Sequence, residues 1–336
     1  MYDGFSEKIC KLQDAKGTDI KMENFLVSLR AVFPMFVIMS IGYLIRRKGM
    51  VDEYSLKKMN SVCFKVFMAA MMFKNVYFLD MGTSFKPDLM LFAVIAMAAV
   101  ILTTFVLVLR VEKENRKRGV MIQAMFRSNF VVLGMPIVAS VYGDAGIGVP
   151  TMLISVTIPF YNVFAVLVLS YFGGERPSIR HLAKDVLLNP YIVSAACGFT
   201  LLGLGIKLPE MVEGVVKDMA GVANPLAILI LGASFSFQNV RKYVKELVFC
   251  ISFRLAIFPG IVLGVAMALG FQGVELLTLV ALFATPTAIA SHVMAQQFGG
   301  DADLAGVEVV ISTALSLLTL FLWVFGLKSF GMLPAL

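Results

Sequence analysis

Apolar residues along this chain come in ten runs of about 20 residues, parted by short polar links. The runs cover roughly 24–46, 56–78, 88–110, 119–142, 147–172, 186–206, 218–237, 246–270, 274–297 and 305–327. A helix of about 20 residues crosses the ~30 Å hydrocarbon core of a bilayer. The pattern therefore predicts an all-α polytopic membrane protein with ten transmembrane helices. Three runs are irregular. Lys65 and Lys74 punctuate the second; the fourth holds Arg127, Asn129, Gly134 and Pro136; the ninth holds Thr285, Pro286 and Thr287. Broken backbone and bare charge find no hydrogen-bond partner in lipid. The fourth and ninth helices, broken at Pro136 and Pro286, are thus expected to form one polar site at mid-membrane.

The links orient the chain. Those after the first, third, fifth and seventh runs carry sixteen Lys and Arg residues, among them Arg46, Arg116, Arg180 and Arg241. The even-numbered links carry only Lys86, Lys207 and Lys217, with Lys74 at a run's edge. Basic links stay in the cytoplasm, which places both termini outside. Residues 1–22 are polar and mixed in charge, with no apolar core or cleavage site of a signal peptide. They read as a tail, or as an upstream extension of a chain starting at Met22.

The two halves echo one another. Pro34 is followed eight residues later by Gly42 and Tyr43, and Pro190 eight residues later by Gly198 and Phe199. That offset of 156 carries Ala69 onto Pro225, and Pro136 and Pro286 lie 150 apart. Five helices repeated from the opposite side make an inverted repeat, a device of secondary transporters. The expected organisation is a tail at 1–22, a first repeat over 23–172, a cytoplasmic linker over 173–185, a second repeat over 186–328 and a tail over 329–336.

Composition agrees with the membrane assignment. The chain is 59% hydrophobic and 15% charged, against about 45–50% and 25% for soluble domains. The net charge of +7 lies between apolar runs, which is the pattern of membrane orientation and not of a nucleic-acid surface. Cys10, Cys63, Cys197 and Cys250 are scattered, without a disulfide framework or metal spacing. No cofactor motif and no enzyme constellation emerges: HExxH, GxSxG and paired intramembrane carboxylates are all absent.

The breaks carry the candidate chemistry. Pro136 cannot donate to the carbonyl four residues back, and Gly134 lets the chain turn. Thr285 suits an N-cap and Pro286 a first helical position. Each new half-helix would present free N–H groups and partial positive charge to an anion, while the preceding halves present carbonyls to a cation. A plain proline kink is the other reading of either break alone. Asn129 lies two turns before Pro136 and can donate to a carboxylate, or join two helices. Arg127 either pairs an anionic substrate or snorkels to an interface. Thr287 and Ser291 share a face beyond the second break. His292 and Glu308 are candidates for coupling to protons or sodium, with a plain polar contact and interfacial solvation as their alternatives. Asn162, Asn189 and Asn224 are further lining candidates, the last two doubling as Asn-Pro helix geometry. Lys65 and Arg254 are deep charges with no evident partner.

The run from Arg127 to Pro136, Leu188-Asn-Pro190, Asn224-Pro225 with Leu231-Gly232-Ala233, and the stretch from Gly300 to Leu320 together resemble the auxin efflux carrier family, in its bacterial branch. The resemblance covers residues 24 to about 328. It implies five-plus-five inverted repeats with a scaffold part and a transport part, fourth and ninth helices crossing at their prolines, a homodimer, and small organic anions as substrates. Plant members export indole-3-acetate, and bacterial members are associated with malonate or malate. Asn129, Pro136 and Pro286 match the family's crossover pattern. Ala69 replaces a usual proline, His292 is unexpected at its position, and the long cytoplasmic loop of plant carriers is absent. The resulting expectation is an inner-membrane permease moving a small carboxylate by alternating access. A passive channel and a ligand sensor without transport are the alternatives.

Overall fold

The computed structural model describes residues 32–78, 86–143, 146–173 and 187–333. The tail at 1–22 lies outside the described residues, as do nearly all of the linker expected at 173–185 and the last three residues. Among the described residues every element is helical, and the one β-type pairing is an isolated bridge.

In chain order the helices are α1 (32–47), α2 (53–77), α3 (Pro87–Val111), α4 (Asn115–Phe126), α5 (Phe130–Tyr142), α6 (Gly148–Gly173), α7 (Pro190–Gly203), α8 (Glu210–Ser234), a short α9 (Phe237–Lys242), α10 (Val244–Ala268), α11 (Gly273–Phe283), α12 (Ala290–Gln297) and α13 (Ala302–Ser329). Among the described residues, α3, α6, α8, α10 and α13 are long and apolar enough to cross a membrane, and α5, α7 and α11 are shorter apolar helices. The protein is thus a helical, membrane-type chain.

Local chemistry sets the ends. Asp52, Asn189 and Asp301 accept backbone N–H groups two or three residues on and cap α2, α7 and α13. Pro87 and Pro190 open their helices where no N–H is needed. Along α3, Leu89, Ala93, Met97, Ile101 and Thr104 are buried, while Leu91, Ile95, Leu102 and Val106 are exposed. An apolar residue on both faces of a helix is the mark of a lipid-facing span.

The helices pack in two groups. In the first, α7 and α8 each pack against α2. Here α1 crosses α8 where a Cβ on Gly42 or Gly232 would collide with the facing backbone of Leu229 or Met39. Small residues permit such close crossings. The second group joins α3 to α6 with α10 to α13. The groups meet where α12 touches α2 and α8, and where α6 touches α2 and α7. At this boundary Asn60 Nδ2 donates to the Val293 carbonyl at 3.1 Å, and the Phe64 ring lies against Tyr191 and Phe298.

The two breaks differ from expectation in one respect. The ninth predicted helix does break around Pro286, between α11 and α12. The fourth does not break at Pro136. It unwinds over Arg127, Ser128 and Asn129, seven or more residues earlier. Pro136 lies inside α5, after a π-turn from Phe130 to Gly134 in which the Met135 N–H reaches back to the Phe130 carbonyl. The wider turn accommodates the missing proline N–H within a continuous helical segment. The same device recurs in α10, where the Phe258 N–H reaches Phe253 immediately before Pro259.

Candidate functional site

The two unwound stretches pair with each other. The Asn129 N–H donates to the Pro286 carbonyl (2.9 Å) and the Ala288 N–H donates to the Arg127 carbonyl (3.1 Å). The result is an antiparallel bridge centred on Ser128 and Thr287. Side chains reinforce it. Thr285 Oγ1 donates to the Ala281 carbonyl at 2.9 Å and lies 2.7 Å from Ser128 Oγ. Thr287 Oγ1 donates to the Ala124 carbonyl at 2.9 Å, and its N–H donates to Ser312 Oγ at 3.3 Å. Backbone groups that lose their helical partners in a break must find others when buried; here each break supplies partners to the other.

Thr285 is therefore not the N-cap anticipated from sequence. The α12 helix begins at Ala290, with no side-chain cap, because the Thr285 hydroxyl is engaged by Ala281 and Ser128. Gly134 likewise makes no turn: its φ is −72°. It is needed because a Cβ there would come within 2.8 Å of the Ala281 carbonyl and 2.9 Å of its side chain, so α5 could not seat on α11.

One side of the crossing faces a cleft of about 230 Å³ at the boundary between the two helix groups. Its walls include Arg127 to Val132, Ala288 to Ala290, Lys74 and Asn75 of α2, Tyr161 and Asn162 of α6, Tyr191 of α7, and Asn224 of α8. The first residues of α5 and α12 are thus part of its lining. Asn129 is 5% exposed, and its side-chain nitrogen has no hydrogen-bond partner. Arg127 is also buried. One guanidinium nitrogen donates to Asn162 Oδ1 and another to Met294 sulfur, each at 2.7 Å. It does not snorkel. Among the described residues, neither Arg127 nor Lys74 forms an ion pair with a carboxylate.

The crossing also holds Arg254, which is 1% exposed and interacts with Tyr161 of the cleft wall. Nε donates to the Thr285 carbonyl (2.9 Å), NH1 to the Phe126 (3.2 Å) and Met125 (3.5 Å) carbonyls, and NH2 to Leu282 (3.5 Å). These carbonyls end α4 and α11. The deep charge that had no evident partner in sequence is bound by backbone oxygen from both breaks.

Of the candidates read from sequence, Arg127, Asn129, Asn162 and Asn224 line the cleft. Thr285, Pro286 and Thr287 build the crossing behind it, while Gly134 and Pro136 shape α5. Ser291 and His292 are buried in α12, each with an unpartnered side-chain atom, and the His292 ring lies against Gly306 of α13. Glu308 is fully buried on α13 without a hydrogen-bond partner for either oxygen, near Cys250 of α10. Asn189 caps α7 instead of lining the cleft. Sequence reading passed over Lys74, Asn75, Tyr161 and Tyr191; a charge at a run's edge was the only signal.

Comparison with known proteins agrees with this architecture. A sequence model of the family described as membrane transport protein matches residues 27–178 and 175–324. The chain is 27% identical over 307 residues, 89% of its length and 98% of the other's, to a protein of Methanothermobacter thermautotrophicus named "Uncharacterized transporter". A second uncharacterized transporter, from Methanocaldococcus jannaschii, is 21% identical over 309 residues, again 89% of this chain and 98% of the relative. A Rhizobium meliloti protein named "Putative malonate transporter" is 25% identical over 169 residues, 48% of this chain and 52% of that one. The matches extend over the helices that build the crossing and its cleft, and the chain belongs to the membrane transport protein family, that of the auxin efflux carriers.

Proposed function

We propose that this protein is a secondary transporter that carries a small organic anion, of the malonate or malate class, by alternating access. The observation that carries the reading is the cleft beside the crossing. It holds a buried Asn129 amide nitrogen without a partner and two cations, Arg127 and Lys74, with no carboxylate among the described residues that line it. The first turns of α5 and α12 add partial positive charge on the same side. An apolar or cationic solute gains nothing there; a carboxylate gains charge-assisted hydrogen bonds. The volume supports a short acid, since the cleft, at about 230 Å³, falls below the ~300–1,000 Å³ of pockets for drug-sized ligands.

The same reading takes the chain as ten passes in two inverted repeats within the cell (inner) membrane, with the basic links inside and both termini outside. The two matched stretches meet at residues 175–178, within the predicted linker, which supports a division there. The α1, α2, α7 and α8 group serves as the scaffold, dimerising with a second copy. The group containing the crossing moves the substrate against it. Asn129 and Arg127 bind the carboxylate; Thr285, Pro286, Thr287, Gly134 and Pro136 hold the half-helices in place. Thermal-shift measurements on purified protein against malonate, malate, lactate and indole-3-acetate test the substrate class. Counterflow in liposomes tests the mechanism. Stabilisation and trans-stimulated uptake by a short carboxylate are expected; stabilisation by none of the acids, or uptake without trans-stimulation, refutes the reading.

Glu308 is the proposed coupling group. Its carboxyl is fully buried within α13, and a carboxylate inside a membrane bundle is a candidate proton or cation site. Cys250 and Glu246 of α10 are titratable groups that act on it, and His292 of α12 packs against Gly306, two residues before it on α13. Glu308→Gln keeps the shape and removes the titration. It is expected to flatten the pH dependence of uptake while the protein still binds its anion. An unchanged pH profile would leave Glu308 a packing residue.

A further inference from the structure

We propose that Arg254 is a positioning residue that occupies the cation seat of the crossing, so that the crossing takes no sodium ion. The inference rests on the transport reading above for its consequence, and on geometry for its content. Where a helix breaks inside a protein, the preceding half ends in carbonyls that lack N–H partners, and that end carries about half a negative charge. Two such ends meet here, from α4 and α11. In transporters built on discontinuous helices, unwound carbonyls of this kind can coordinate a sodium ion or proton. In this chain the oxygens of Met125, Phe126, Leu282 and Thr285 all accept from one guanidinium. Arg254 is fully buried, so this charge is not shared with solvent. Its position is held by the π-turn of α10, whose extra residue per turn offsets the side chain from the regular helix face.

The arrangement divides the crossing electrostatically. Both negative half-helix ends face Arg254, and both helix starts face the cleft. A covalently attached cation cannot leave with substrate, so the negative ends are neutralised in every step of the cycle. Arg254 also ties the Thr285 carbonyl to the end of α4. It thereby fixes the register that sets Asn129 opposite Pro286, and its neighbour in the cleft wall is Tyr161, not the Asn129 and Arg127 pair assigned to the substrate.

The test uses the purified full chain, with thermal midpoints and malonate uptake measured in sodium chloride and in choline chloride at equal ionic strength. Wild-type protein is expected to give the same midpoint and the same uptake in both salts. A sodium-specific stabilisation or stimulation of wild type would overturn the proposal. Arg254→Ala is expected to raise the malonate KM about tenfold or more and to lower the midpoint. Low-millimolar guanidinium ion, which fits the vacated seat, should reverse both changes, and it should do neither in wild type. Arg254→Lys should fall between the two, since an ammonium supplies charge without the planar fork. An unchanged KM in Arg254→Ala, or no recovery with guanidinium, would also overturn the proposal. Should Arg254→Ala fail to fold, the salt comparison on wild type and the KM of Arg254→Lys decide the matter. If no acid is transported by wild type, the transport reading fails, while the sodium and guanidinium effects on the thermal midpoint still judge Arg254.

Discussion

Replacing Asn129 with alanine is expected to cut carboxylate uptake about 10- to 150-fold while leaving the folded protein intact. The two effects separate because of how the residue is used. Its backbone N–H holds the crossing through the Pro286 carbonyl, and alanine keeps that bond. Its side-chain nitrogen is buried beside the cleft without a protein partner, so truncation removes no side-chain donor bond within the protein. The loss falls on the ligand. A hydrogen bond to a charged group contributes about 1.5–3 kcal/mol, which is roughly a 10- to 150-fold change in binding. Uptake by proteoliposomes at matched expression should drop by that factor, with the thermal midpoint of the unliganded protein close to wild type. Asn129→Asp should be at least as defective, because a second carboxylate repels the first. Normal uptake by the alanine variant would sink the assignment of Asn129 to the substrate.

That site was only partly legible in the sequence, and the reasons are physical. Run lengths located α3, α6 and α10 to within a residue or two, because a membrane crossing demands an apolar stretch of set length. The existence of two breaks was equally plain, since Pro136 and Pro286 are conspicuous in apolar surroundings. The position of the first break was not. Proline announces a lost N–H, but a π-turn absorbs that loss at Pro136, while the actual unwinding at Arg127 to Asn129 is paid back by backbone pairing with Thr287 and its neighbours. Backbone carbonyls carry no residue identity, so no pattern could show that Arg254 binds oxygens 28 to 129 positions away. Thr285 illustrates the converse error. Its residue type fits an N-cap, yet a nearer acceptor at Ala281 and the Ser128 hydroxyl claim it. The glycines at 42 and 232 are explained only once α1 and α8 are seen to cross.

Arg127 and Asn162, changed one at a time, are expected to rank in opposite order for stability and for transport. Asn162→Ala removes the oxygen that accepts from the guanidinium at 2.7 Å and leaves a buried cation short of a partner. Breaking one half of a buried charged contact is costly, about 1–3 kcal/mol and more for a full charge, so the thermal midpoint should fall. Arg127→Met removes the charge altogether and fills the space with a flexible apolar chain. Only the neutral Asn162 oxygen is then left short of a donor, so the midpoint should fall less than in Asn162→Ala. Transport should separate the two variants in the reverse order. With Asn162 absent the guanidinium still faces the cleft, free to pair with substrate, and uptake should persist with an altered KM. With Arg127 absent the cleft keeps only Lys74 as a cation, and uptake should fall about a hundredfold, the effect of losing ~2.7 kcal/mol of binding. Uptake at wild-type rate by Arg127→Met would make the arginine a structural clasp between α6 and α12, and would shift the task of balancing the anion to Lys74 and the two helix starts.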